Sequence, residues 1–134
     1  MKTSTQKFSA LASVLVFMAS FMFVQCDMNG VKDVEVSTEE FLETIAQDKL
    51  TMVDFYTTWC GPCKQMDPHV KKVKEEHQEF NILQVDAEAQ MSIAGRYNIR
   101  AYPTVMLFKK GEVVFRGEGS LNEEQILGLL NQYK

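Results

Sequence analysis

The sequence predicts an α/β domain, a central mixed β-sheet flanked by four helices. Three observations point there. Short apolar runs of strand length alternate with segments of helical period. Two of the helical segments open on capping residues, Ser37 with Glu40 and Asn122 with Gln125. The last two strand-like runs meet at Lys110-Gly111, a hairpin signal. A strand–helix–strand opening makes a parallel pair and the hairpin adds antiparallel strands, so the sheet is mixed and covered by helices on both faces.

"VEV" (34–36) reads as an edge strand. Ser37 then opens a helix over "STEEFLETIAQ", whose apolar face is Phe41, Leu42 and Ile45. "KLTMVDFY" (49–56) has the length and the Val/Phe/Tyr content of a buried strand, interrupted only by Asp54. The next helix begins at the cysteine pair. Met66, Val70, Val73, His77 and Phe80 recur at spacings of 4, 3, 4 and 3, one helix face, with Pro68 expected to kink it. The charges of "KKVKEEH" between them form a solvated face. "NILQVD" (81–86) is a further strand and "AQMSIAGRY" a short helix. "TVMLFKKGEVVFRGEG" (104–119) is the hairpin, and the last helix presents Ile126, Leu127, Leu130 and Tyr133. The order is β-α-β-α-β-α-β-β-α.

The N-terminal 26 residues follow other rules. Lys2 and Lys7 precede Phe8–Val24, an apolar run of 17 residues without a charge. A basic start followed by such a run is the pattern of an export signal, at the short limit for a membrane span. Residues 1–26 are therefore expected to be an export or lipoprotein signal or a membrane anchor. Residues 27–33 are a polar tether containing Asn29-Gly30, and 34–134 form the domain.

Of 14 basic and 18 acidic residues, only Lys2 and Lys7 lie in the signal, so the rest of the chain carries 12 against 18, a net of −6. That charge gives no basis for binding nucleic acid, where phosphate neutralisation drives affinity, and none for adhesion of the domain to an anionic membrane.

The three cysteines are Cys26, Cys60 and Cys63. A disulfide scaffold would spread an even set along the chain, and closing a loop across two residues removes little unfolded-state entropy. Zinc would need two more ligands. His69 and His77 are the only histidines, and a spacing of eight does not return both to the helix start, so no metal is expected. Cys60 sits where a helix begins, and unpaired N–H groups and the positive end of the helix dipole favour its thiolate. Gly61-Pro62 form the first turn, with proline where its missing N–H costs nothing. Cys63 follows one turn on, expected to be slightly more buried and within disulfide reach of Cys60.

"VDFYTTWCGPCKQMDP" and, with Pro103 forty positions after Cys63, "YPTVMLFKKGE" resemble the thioredoxin family over essentially all of 33–134. The resemblance implies the thioredoxin fold and a set of roles. Cys60 would attack a substrate disulfide and Cys63 would resolve the mixed disulfide, leaving a Cys60–Cys63 redox disulfide. Asp54 would be the buried acid that shuttles the proton of Cys63. Trp59, Gly61, Pro62, Tyr102, Pro103 and Gly119 would form the substrate groove, Pro103 through a cis bond and Gly119 by leaving room beside it. Lys64 would tune the local potential. Tyr56, Tyr102, Ile82 and Glu118 depart from what the family most often carries at those positions, Ile82 where a lysine often lies near the buried acid.

Gly-Pro between the cysteines resembles the reducing members. Pro103 follows Asp86 by only 17 positions, too few for the inserted helical domain of the strong oxidants. The expected function is a protein-disulfide reductase acting outside the cytoplasm, in a bacterial periplasm or cell envelope. It would need no cofactor, act as a monomer on disulfide-containing protein substrates, and draw electrons from a membrane thiol-transporter or another donor. A disulfide oxidase or isomerase, and a binding module that uses the groove without turnover, are the alternatives. "FVQC" before the tether resembles a lipoprotein signal that would acylate Cys26, although Gln25 replaces the usual small residue. Cleavage without lipid and an uncleaved anchor stay open beside it.

Overall fold

A computed structural model of the chain describes residues 36–134. The signal with Cys26, the tether, and Val34 and Glu35 of the expected edge strand lie outside the described residues. The chain divides after Asp33, and Val34–Lys134 is considered by itself.

The elements run α1 (Thr38–Ile45), β1 (Thr51–Tyr56), α2 (Gly61–Glu76), β2 (Asn81–Asp86), α3 (Met91–Arg96), β3 (Thr104–Lys109), β4 (Glu112–Glu118) and α4 (Glu123–Tyr133). The strands form one mixed sheet in the order β2-β1-β3-β4. β1 runs parallel to β2, with Thr51 opposite Asn81 and Tyr56 opposite Asp86, and antiparallel to β3, with Phe55 opposite Thr104. This is the thioredoxin fold: a four-stranded mixed sheet with four helices among the described residues.

Alternation along the strands sorts side chains onto two faces. Val53 and Phe55 of β1 with Met106 and Phe108 of β3 face one side, where α1 and α3 deliver Phe41, Ile45, Ile93 and Ala94. Met52 of β1, Ile82 of β2 and Val105 and Leu107 of β3 face the other, against Met66, Val70 and Val73 of α2 and Ile126 and Leu130 of α4. Each fully buried side chain of this size contributes roughly 1.5–3 kcal/mol, so two separate cores share the stabilisation.

Local signals fix the ends. Ser37 Oγ accepts from the Glu40 N–H at 3.1 Å, the forward half of the expected capping box, while at Asn122 and Gln125 both halves are formed at 2.9 Å. The β3–β4 turn places Lys110 and Gly111 at φ 53° and 82°, the left-handed pair that a tight hairpin requires. Their N–H groups donate to Gln47 and Ile45 carbonyls, which pins the turn to the end of α1.

One expectation is corrected. α2 ends at Glu76: His77 is its C-cap, at φ −121° and ψ 69°, and Phe80 stands beyond the helix. Phe80 is nevertheless buried in the same core as Met66, Val70 and Val73. The spacing reported a shared core continued through the turn after the helix.

Candidate functional site

The C-terminal end of β1 meets the N-terminus of α2 at "TTWCGPC". Cys60 is the N-cap residue of α2, in extended geometry, and its Sγ accepts from the Cys63 N–H at 3.2 Å. Its own N–H donates to the Thr57 carbonyl and its carbonyl accepts from Lys64 N–H, both at 3.3 Å. The chain is thus held on both sides of the sulfur. Cys63 lies one turn on, 5.3 Å away between Cα atoms and disulfide-bonded to Cys60. Both cysteines are 5 % exposed, so the expected difference in burial between them is not seen. What separates them is position: Cys60 occupies the cap, and Cys63 supplies an N–H to it.

The residues expected to form a groove beside the pair come from three loops, and contacts link Trp59 to Tyr102 and Gly119 to Pro103. Trp59 is 65 % exposed, and its Nε1 donates to Glu88 Oε1 at 3.0 Å. Its ring meets that of Tyr102 edge-on, with centroids 6.0 Å apart. Tyr102 precedes a cis peptide bond to Pro103 and lies just before β3, whose pairing with β1 and β4 begins at Thr104. The Gly119 N–H donates to the Pro103 carbonyl at 2.9 Å. Gly119 has φ 104°, so it is required for its backbone; among the described residues a side chain there would meet nothing within 4 Å. Gly61 and Pro62 are exposed at the helix start, and Lys64 is exposed on its first turn.

Asp54 lies beneath this end of the sheet, on the α2 side, 1 % exposed. Burial pushes its carboxyl from the ordinary 3.8 up to about 6; a hydrogen bond from Gln84 opposes that rise and the nearby Asp67 charge adds to it. Two residues that the sequence reading left without a role complete the picture. Gln84 is opposite Asp54 in the β1–β2 register, and its Nε2 donates to Asp54 Oδ2 at 3.3 Å and to Asp67 Oδ1 at 3.1 Å. Asp67, on α2, is paired with Lys71 at 2.9 Å. Partial burial raises the Asp67 carboxyl, but the bonds from Lys71 and Gln84 and the Lys71 charge bring it below the usual range. Asp54 Oδ1 is buried and has no hydrogen-bond partner among the described residues. Ile82, where a lysine was looked for, is buried among Met52 and the α2 side chains.

Residues 32–132 match the family model described as Thioredoxin. The chain belongs to the thioredoxin family. It is 39% identical over 84 residues to Thioredoxin-1 of Saccharomyces cerevisiae, 63% of this chain and 82% of that protein. It is 41% identical over 92 residues to the chloroplastic Thioredoxin Y of Oryza sativa subsp. japonica, 68% of this chain and 54% of that protein. Among solved structures it resembles Malassezia sympodialis thioredoxin, with a TM-score of 0.67 and 30% identity over 72% of this chain and 85% of that one. With a cysteine pair at disulfide distance, this thioredoxin is a thiol–disulfide oxidoreductase.

The geometry suits that chemistry. A Cys60 thiolate would receive the Cys63 N–H and the helix N-terminal field, which lower the free energy of the anion. A second thiol one turn away can displace whatever sulfur Cys60 has bound, provided that a base takes its proton.

Proposed function

We propose that this thioredoxin reduces disulfides of protein substrates outside the cytoplasm. The carrying observation is the asymmetric setting of the pair, Cys60 at the N-cap and Cys63 donating its N–H to Cys60 Sγ at 3.2 Å. The Cys60 thiolate attacks one sulfur of the substrate disulfide, and the other substrate sulfur leaves as a thiolate and takes a proton from water. Cys63 then gives its proton to the Asp54 carboxylate and attacks Cys60 Sγ. The second substrate sulfur departs, and two electrons have passed from the Cys60/Cys63 dithiol to the substrate. Trp59, Gly61, Pro62, Tyr102, Pro103 and Gly119 line the groove in which an extended substrate segment lies, its backbone against Tyr102. Lys64, on the first turn of α2, adds a positive charge near the pair.

Support for the location is the basic-then-apolar pattern of residues 1–26. A membrane thiol-transporter, or another thiol donor, would return the disulfide to the dithiol. If Cys26 carries a lipid, the tether from Asp27 to Lys32 lets the domain reach about 20 Å from the membrane, at roughly 3.3–3.6 Å per extended residue.

Turnover of insulin with dithiothreitol tests the reading. The wild-type protein accelerates insulin reduction and Cys60→Ser abolishes the acceleration. Cys63→Ser gives no turnover but holds substrate covalently on Cys60, visible on a non-reducing gel. Wild-type protein no faster than dithiothreitol alone sinks the proposal.

A further inference from the structure

The reductant reading needs a base for the Cys63 proton, and the surroundings of Asp54 say how that base is held. We propose that Gln84 is the positioning residue of the resolving step, its Nε2 bridging Asp54 Oδ2 and Asp67 Oδ1 so that Asp54 Oδ1 is left to take the proton of Cys63. An amide nitrogen carries two hydrogens, one for each carboxylate. Gln84 reaches Asp54 because the parallel register sets the two opposite each other, and reaches Asp67 because α2 packs over that face of the sheet. Asp67 stands four positions after Cys63, and Lys71 holds its other oxygen at 2.9 Å. The bridge therefore connects the strand that bears the base with the helix that bears both cysteines.

The charged groups around Asp54 define what the bridge does. From α2 come Asp67, anionic, and its partner Lys71; from β2 comes Gln84, neutral at every pH. From β3 comes Val105, opposite Asp54 in the register and apolar. Two carboxylates sharing one donor would otherwise repel, and the amide stabilises Asp54 in its charged form without titrating itself. A lysine in this place would bring a charge to the buried acid; the amide brings only a dipole. In the step itself, the proton of Cys63 moves to Asp54 Oδ1 and the Cys63–Cys60 bond forms. The Cys60–substrate bond breaks, and the substrate sulfur leaves with the electron pair.

The test is a pH series on the full chain with three readouts. Asp54 is followed by carboxyl ¹³C NMR in the oxidised protein, and single-turnover oxidation by insulin is followed through Trp59, the only tryptophan. Gln84→Met keeps length and removes the donor. Its Asp54 titrates at higher pH than wild type, and oxidation slows on the order of threefold at pH 6, converging with wild type above pH 8. Asp67→Asn removes the repelling charge and moves both readouts the opposite way. In the wild-type protein the Gln84 side-chain amide resonances respond at the same pH as the Asp54 carboxyl, a measurement that needs no variant to fold. An Asp54 titration that Gln84→Met leaves in place overturns the proposal, as does uniform slowing at all pH values or an amide signal indifferent to Asp54. Failure of the wild-type protein to reduce insulin, with the titration shifts present, overturns the reductant reading and leaves the bridge standing.

Discussion

The two faces of the sheet are built from the same strands and to different ends. On the α1/α3 face the inward positions are apolar except for Thr51 and Thr104, whose hydroxyls donate to the Thr44 and Ala101 carbonyls, and none of them is ionisable. Phe41, Phe108 and Tyr97 pack there as edge-on and tilted rings, with centroids 5.2–6.0 Å apart. On the α2/α4 face the same alternation brings in Met52, Ile82, Val105 and Leu107, but Asp54 and Gln84 interrupt it at one end. One strand, β1, thus carries Phe55 to one side and Asp54 to the other, at adjacent positions and both at most 1 % exposed. Purely apolar burial stabilises at any pH. A buried acid costs stability whenever it is charged, and a thioredoxin that uses it as a base must accept that cost.

Substitution at the two adjacent positions separates these effects, in urea unfolding of the oxidised protein. Phe55→Ala removes a fully buried ring and is expected to cost about 3–5 kcal/mol, equally at pH 4 and pH 8. Asp54→Asn is expected to stabilise, and only at the higher pH. Because the folded-state value is raised to about 6 from the ordinary 3.8, the folded protein holds this proton more tightly than the unfolded chain. The stability so contributed is fully present below about pH 4 and is lost as pH rises through 6. A difference of roughly two units corresponds to about 3 kcal/mol, so Asp54→Asn gains up to about that at pH 8 and little at pH 4. A pH-dependent loss at Phe55, or no gain at Asp54, would break the contrast between the faces.

How legible the two faces were from the sequence follows from what each depends on. The α1/α3 face, the hairpin at Lys110-Gly111 and the cap at Asn122 are local patterns, and the structure forms each of them. Asp54 stood out as the one acid in an apolar run, and W-C-G-P-C marked the helix start. Gln84 and Asp67 did not stand out: a glutamine in a strand and an aspartate on a helix acquire meaning only through the β1–β2 register and the packing of α2. The end of α2 is hidden from the sequence because Phe80 keeps helical spacing while belonging to the turn, and a shared core imposes the same periodicity as a continuous helix. The equal burial of Cys60 and Cys63 is likewise not a local property, since exposure at a helix start is set by the loops that surround it.

A smaller effect sharpens the comparison at the helix ends. Besides α2, which Cys60 itself caps, each face has one helix with a side-chain cap, Ser37 on α1 and Asn122 on α4, and both are far in sequence from the cysteine pair. Loss of an N-cap side chain costs about 1 kcal/mol, because a helix N–H is left without its acceptor. The Asn122 N–H also donates the return bond to Gln125 Oε1 at 2.9 Å, which Asn122→Ala would leave with a poorer anchor. Asn122→Ala should therefore cost somewhat more than Ser37→Ala, each within roughly 0.5–2 kcal/mol in urea unfolding. Neither should move the Asp54 titration, since α4 meets the core through Ile126 and Leu130 and α1 lies across the sheet. If Asn122→Ala did shift it, the α2/α4 face would behave as one unit, and the chemistry would depend on the whole face rather than on the end where Asp54, Gln84 and Asp67 meet.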